Sequence, residues 1–526
     1  MLSRNFLITA IIIVCVLNTF VIAGCSDTIV EVDEITGVVV FPGDVRLRTQ
    51  EEVDLLGGIR QIKGTLIIGP SEDRSPIVDL RPLISLQELN GSLFVTENKR
   101  LVSLSGLDNL SHVGRSIVIK DNPELESLSG LEITSDADGI YLKNLTSLRD
   151  LNGWCHLLEL PRFEIEGCDS LVSLRGLESI ERIGSLEVTS CRSIRSLEGL
   201  DRLRDLSTLQ LGGNDALVEL MDFGKIQGLY TISMGGCSSF NQWEVFASAA
   251  QLGWLSIRNC DQLTTLSDLG DMPALQSLTI DGCSSFASLA NHGVFTELKR
   301  LDISYDNALN SLAGLNNFPA LQYLRLFVGT ALPNLAEIQD LPSLDTFLIT
   351  GNGVIPSLRD FPTLPRLREL DLTNFSGVTS LEGLAEQPLL EELRIRGFLS
   401  LTSLSGGGNL SHLKSLKIST NSSLTSLTGL VAPDSLDALS VSNNHALTDL
   451  TGLDWLAYCG ELTVFANNSL VDVSGMDRLT TIGPGGIDIS HNNVLDTCQA
   501  ESVIAGLDIQ GYVRVFSNGP CAAPKK

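Results

Sequence analysis

The stretch Leu413–Leu430 reads LKSLKISTNSSLTSLTGL, and Leu298–Leu315 repeats its pattern as LKRLDISYDNALNSLAGL. Both follow L-x-x-L-x-I-x-x-(ladder)-x-x-L-x-S-L-x-G-L, where the ladder position is small or polar, most often Asn or Cys. The L-x-I alternation has period 2, which marks a short strand with one buried face. The Leu residues after the ladder turn the chain inward again. The Gly of SLSGL (Gly106, Gly130) or SLEGL (Gly199, Gly383) supplies a φ that other residues resist.

Outward from these stretches the ladder position recurs at Asn98, Asn122, Leu145, Cys168, Cys191, Asn214, Cys237, Cys260, Cys283, Asp306, Gly329, Asn352, Phe375, Phe398, Asn421, Asn444, Asn467 and Asn492. Every step from Asn122 to Asn467 is 23 residues; only the first (24) and the last (25) differ. One such turn cannot bury its own apolar face, but stacked turns share a continuous core. The spacing therefore predicts a mainly β solenoid: a right-handed superhelix with one long parallel sheet and about 18 turns of 23 residues.

At each ladder position the chain leaves the strand, and its turn backbone lacks sheet partners. A buried amide or thiol there can donate to those groups on its own or the neighbouring turn. Leu145, Gly329, Phe375 and Phe398 have no side-chain donor, which predicts local irregularity. The segment 316–400 carries extra prolines (Pro319, Pro333, Pro342, Pro356, Pro362, Pro365, Pro388), so its connections should be extended. Asn241–Leu252 (NQWEVFASAAQL) has helical character instead.

The chain has 526 residues, 43% hydrophobic but only 5% aromatic, so its core must rest on Leu, Ile and Val. That apolar fraction excludes a disordered chain. With 36 Lys and Arg against 63 Asp and Glu, the net charge of −27 argues against nucleic acid and against an anionic membrane surface as partners.

Met1–Gly24 has one charge, Arg4, and an apolar run from Phe6 to Ile22, the layout of a secretory signal. Its end, Ile22-Ala23-Gly24-Cys25, resembles the lipobox of bacterial lipoprotein signals. That resemblance implies cleavage before Cys25, a diacylglycerol on its thiol and an acylated new amine. Loss of Arg4 would then take the net charge from −27 to −28. Membrane association is expected through this lipid anchor only, at the outer membrane or cell surface, the alternative being simple secretion. The expected organisation is signal peptide 1–24, lipid-anchored linker 25–42, N-terminal cap and first turn 43–80, solenoid 81–497, and C-terminal cap and tail 498–526.

The repeat resembles leucine-rich repeats. Gly43–Gly69 (GDVRLRTQEEVDLLGGIRQIKGTLIIG) and Ser85–Leu110 (SLQELNGSLFVTENKRLVSLSGLDNL) look more like the receptor L-domain type, found in bacterial surface proteins and in insulin- and EGF-receptor ectodomains. The resemblance spans about 43–500, implies a solenoid, and names no ligand. A Cys-rich module, a second membrane segment and a kinase are all missing from the sequence, so signalling by the chain itself is not implied.

Of eleven Cys, Cys15 lies in the signal and Cys25 at its end. Cys168, Cys191, Cys237, Cys260 and Cys283 sit on the ladder, where strands stack ~4.8 Å apart, wider than a disulfide prefers between Cβ atoms. Buried free thiols are expected there. Cys498 and Cys521 flank the last turn, where a staple and two free thiols are both open. Cys155 and Cys459 have no evident partner.

None of the six His pairs with another His or with Cys at metal-ligand spacing, and adjacent Cys155 and His156 point apart. Asp136-Ala-Asp138-Gly139 starts like a calcium loop but lacks the later ligands. No metal or cofactor is expected. Nor is there a GxSxG, HExxH or phosphate-loop pattern, and Glu164/Glu166 read as a solvated pair.

Residues six, four and two places before each ladder position face outward from the sheet. Most are Ser, Thr, Asp or Glu. Phe94, Val118 and Tyr141 on consecutive turns are exceptions, as is the lone Trp254. Tyr323, Arg325, Phe327 and Leu348 form a patch on two adjacent turns, followed by a basic spot at Arg394, Arg396 and Lys417. Exposed aromatics with Arg are over-represented at binding hot spots. The expected function is non-catalytic binding of a protein or glycan by a monomer at the cell surface. The alternative is a polysaccharide-active enzyme on a parallel β-solenoid, which would need clustered acids, bases or calcium ligands.

Overall fold

The computed structural model describes residues 31–32, 39–69, 76–132, 137–154, 156–290, 293–306, 308–329, 332–351, 355–384 and 387–521. The signal segment, Cys25, Asp136, Cys155, His292 and Asn352 lie outside them, as does the side chain of Asp306. Among the described residues no helix is long and apolar enough to cross a membrane.

The chain forms two units, Met1–Gln262 and Leu263–Lys526. In the first, Val45–Leu47, Leu66–Ile68, Leu93–Thr96, Ser116–Lys120 and Gly139–Lys143 each pair in parallel with the next strand. Glu159–Glu166, Arg182–Thr189, Asp205–Gly212, Thr231–Gly235 and Trp254–Arg258 continue the series. A second, smaller sheet joins Val39–Phe41, Gln61–Ile62, Glu88–Leu89 and His112–Val113 in parallel, with Glu31–Val32 antiparallel on its edge. In the second unit the parallel series runs from Ser277–Asp281 to Val513–Phe516.

Residues pair with those 23 places on, as Leu186 does with Leu209. The fold is thus a parallel β-solenoid of leucine-rich-repeat type. It has about twenty turns rather than eighteen, because Val45–Leu47 and Leu66–Ile68 precede Asn98, and Val513–Phe516 follows Asn492.

One residue in left-handed conformation makes most exits from strand to ladder, for example Asp121 (φ 56), Ser190 (φ 56), Asn443 (φ 56) and Ala466 (φ 54), but not those at Val328 and Gly351. That reversal turns the next side chain inward. It costs a non-Gly residue about 1–2 kcal/mol, offset by the bonds the ladder then makes. A second reversal falls at the Gly of each SLxGL. At Gly106 (φ 116) an added Cβ would lie 1.9 Å from the Leu80 carbonyl oxygen, so no other residue fits. Between these bends Leu, Ile and Val are fully buried in thin layers, each side chain contributing roughly 1.5–3 kcal/mol.

The Asn ladder links turns. The backbone N–H of Asn421 donates to Oδ1 of Asn444 at 3.0 Å, while Asn444 Nδ2 donates to the Ile418 carbonyl at 3.0 Å. The same pair of bonds joins Asn444 to Asn467 and Asn467 to Asn492. It ends on Asn518, a ladder position that the 23-residue spacing does not reach. The thiols act locally: Cys191 and Cys260 donate to the carbonyls of Thr189 at 3.4 Å and Arg258 at 3.2 Å in their own turns.

All five ladder thiols and Cys459 are free and buried, and burial pushes the Cys237 and Cys459 thiols up to about 12. Cys498 and Cys521 form a disulfide with Cα atoms 5.1 Å apart. It ties the start of the helix Thr497–Ile504, whose N-cap Asp496 accepts from the Cys498 N–H, to the last described residue. Asn241–Leu252 contributes the short 3-10 helix Trp243–Ser248. Its Trp243 and Phe246 pack with Phe240 at ring separations of 4.9 and 6.0 Å.

Three expectations about irregularity need correction. Strands before Leu145, Phe375 and Phe398 pair in unbroken register. Their apolar ladder side chains are fully buried, and the Phe375 and Phe398 rings lie 5.5 Å apart, so packing takes over where donation is lost. The Phe398 N–H still finds Asn421 Oδ1 at 2.9 Å. A register shift does occur before Gly329, between Ile303 and Asp306. Another lies between Cys459 and Glu461, opposite Ile482 and Gly486. There the strand Thr481–Ser490 carries two extra residues, which accounts for the 25-residue last step. In the proline-rich segment the strands are joined by turns after the short 3-10 piece Leu315–Asn317.

Candidate ligand-binding face

The outward rows are set by strand register, because side chains alternate across a pleated strand. In the first unit Phe94 pairs with Val118 and Val118 with Tyr141, all half-buried. Tyr141 is followed in its row by Glu164 and Glu187. Glu164 is not solvated as expected: only 8% exposed, it accepts a bond from Lys143 and lies 3.4 Å from Arg162. Lys143 also reaches Glu166 at 3.1 Å, and its pKa is raised, chiefly by the Glu164 bond. Glu187 is raised by burial and by the neighbouring Glu164 charge. Trp254 is 47% exposed beside Thr231.

In the second unit the register places Tyr323 beside Arg300 and Thr346, and Arg325 beside Asp302 and Leu348. The Arg300 guanidinium lies 3.7 Å from the centre of the Tyr323 ring. Asp302, buried, sits 3.5 Å from Arg300 and 3.7 Å from Arg325, and accepts from Ser304 Oγ at 2.7 Å. The patch therefore holds two guanidinium groups about one buried carboxylate.

Phe327 stacks on Tyr305 at 4.8 Å with a 27° interplanar angle. Tyr305 is 62% exposed, the most exposed of the aromatic side chains described. Sequence reasoning missed it because it counted only alternating outward positions. Tyr305 occupies the left-handed position (φ 60) just before the ladder, whose side chain also leaves the core. An aromatic where most turns have Gly, Asn or Asp was the available signal. Arg300 was missed although it stands six places before Asp306.

The basic spot is less basic than it reads. Arg394 donates to Glu369, lies 3.0 Å from Glu392 and 3.9 Å from Asp371, so its charge is neutralised by its own turn and the preceding one. Lys417 is its register partner, and Arg396 lies at the strand end. Both are exposed, with no ion pair among the described residues. A further aromatic row unanticipated from the sequence joins Phe465, His491 and Phe516, with centroids 4.9 and 5.0 Å apart.

At the starts of the strands beyond Tyr323 lies a cavity of about 640 Å³, with Tyr323, Asp345, Thr346, Arg366 and Arg368 in its wall. Arg368 is held at 2.7 Å by Glu391, whose own pKa is lowered mainly by its bond to Lys414. Among the described residues one group of potential metal ligands converges, Asp496, Cys498 and Cys521. Both its sulfurs are spent in the disulfide.

No family model matches the sequence, and no curated protein matches it. Among solved structures the chain is similar to one in the TLR13–ssRNA13 complex, at 14% identity over 91% of this chain and 92% of that one, with a TM-score of 0.34. It is also similar to a chain of the Toll–Spatzle complex of Drosophila, at 17% identity and a TM-score of 0.42. That likeness covers 77% of this chain and 52% of the other, so the chain spans about half the Toll-complex chain's length. What the chain's own geometry establishes is a leucine-rich-repeat type solenoid bearing an exposed aromatic and guanidinium cluster.

Proposed function

We propose that this chain is a non-catalytic recognition protein, monomeric, acylated at Cys25 and held at the bacterial cell envelope. Its outward face in the Leu263–Lys526 unit takes a protein or glycan ligand. One observation carries this: the rings of Tyr305, Tyr323 and Phe327 stand outside the core, stiffened by Arg300 and by each other. Rigid rings lose little entropy on binding, and Tyr and Arg supply most of the energy at typical hot spots. Arg325 and Leu348 extend this surface, with Arg396 and Lys417 beyond it.

Catalysis fits the face poorly. Its most buried carboxylate, Asp302, is already engaged by Arg300, Arg325 and the Ser304 hydroxyl, which leaves it no free edge toward a substrate. The net charge of −27 disfavours a polyphosphate partner.

The test is the full chain presented to glycan and protein arrays, followed by Tyr305→Ala with Phe327→Ala. Binding of the ligand found should fall at least about tenfold, while Trp254→Ala leaves it intact. Undiminished binding by the double variant, or arrays with no ligand at all, overturns the reading. For the anchor, detergent-phase partition should disappear in Cys25→Ala.

A further inference from the structure

The cavity beside the aromatic cluster has a lining whose chemistry narrows the ligand. Its volume of about 640 Å³ lies within the roughly 300–1,000 Å³ range of small-molecule sites. We infer that it is a subsite for an oligosaccharide bearing a carboxylate, such as a short uronic-acid chain. This deepens the recognition reading above and rests on it.

Three features converge. First, one face of the Tyr323 ring is covered by Arg300, whereas its register partner on the other side is the small Thr346, also in the cavity wall. An aromatic face open on one side suits the C–H face of a pyranose ring. Second, the Gln322 amide, the Thr346 hydroxyl and the Asp345 carboxylate set donors and acceptors side by side, as vicinal sugar hydroxyls require. Thr346 Oγ1 already donates to Asp345 Oδ1 at 3.1 Å, which fixes that carboxylate.

Third, the two guanidinium groups in the wall differ. Arg368 is committed to Glu391 at 2.7 Å and to Asp345 at 3.6 Å. Arg366 is exposed and has no ion pair among the described residues, on a chain of net charge −27. A free guanidinium at the rim of a polar cavity matches a carboxylate in a two-pronged geometry. A neutral sugar would leave it unused.

The experiment is titration calorimetry of the full chain with α-linked trigalacturonate and with its carboxyl-reduced, neutral counterpart, at low and high salt. The acidic trimer should bind at least about tenfold more tightly than the neutral one, and less tightly in high salt. Arg366→Ala should erase that preference without changing the melting temperature, since the side chain is exposed. Tyr323→Ala should weaken both sugars alike. Equal affinity for the two trimers, a preference that survives Arg366→Ala, or no binding of either up to about millimolar concentration overturns the inference. If the trimers fail while an array ligand still depends on Tyr305 and Phe327, only this subsite falls. If the array ligand is also insensitive, the recognition reading falls with it.

Discussion

From Asn421 to Asn518 the ladder is a run of amides, whereas from Cys168 to Cys260 it is mostly thiols. Each Asn accepts from the backbone of the turn before it and donates to a strand carbonyl one turn back, as Asn444 does with Asn421 and Ile418. Each Cys donates weakly within its own turn, as Cys260 does to Arg258. Asn214 stands alone among the thiols and still makes both amide bonds, to the Cys191 N–H at 3.0 Å and to the Val188 carbonyl at 2.8 Å. The amide stretch is thus stitched turn to turn by side chains. The thiol stretch depends on its sheet and on apolar packing, at a lower desolvation cost. In a solenoid, where stability is largely a sum of turn and interface terms, that difference should be local and measurable.

The largest effect is expected at Asn444→Ala. It orphans the buried Asn421 N–H and Ile418 carbonyl, a cost of about 3–4 kcal/mol. Amide exchange around residues 415–450 should report it, and a loss below about 1 kcal/mol would break the comparison. Next comes the staple at the end of the amide stretch. Reduction of Cys498–Cys521, which are separated by 23 residues, should cost about 3 kcal/mol. Exchange should then rise in Thr497–Ile504 and Val513–Phe516 while the thiol stretch is unaffected.

The smallest effect is expected at Cys237→Ala, about 1 kcal/mol at neutral pH, because little hydrogen bonding is lost. Its signature is pH. The folded thiol holds its proton up to about 12, whereas the unfolded thiol releases it near 9.0. The unfolded state therefore binds fewer protons between these values, and stability falls as pH rises from about 9 toward 12. Cys459 behaves alike. Urea unfolding across that window should show a shallower decline in Cys237→Ala than in the native chain; identical slopes would mean the thiol is not what sets it.

Much of this was legible in the sequence. The L-x-I alternation located the strands, the 23-residue spacing their register, and Gly106, Gly130, Gly199 and Gly383 the bends, all with positive φ. The outward neighbours Phe94, Val118 and Tyr141 follow from register alone. What escaped were effects outside the alternation. Tyr305 is turned outward by a left-handed φ, and Asn518 follows a strand beyond a helix, out of step with the repeat. The charge of Arg394, read as free from the sequence, is offset by Glu369, Glu392 and Asp371 around it.

By itself, then, the sequence determined the solenoid, its period and which apolar side chains of the strands point inward, because a strict hydrophobic repeat fixes the stacking of nearly every turn. Only the tertiary structure decided which outward charges are free and which are spent. It also decided that Cys498 meets Cys521 and that Arg300 covers one face of Tyr323. Those outcomes depend on distances of a few ångströms between neighbouring turns and side-chain orientations, which periodicity does not encode.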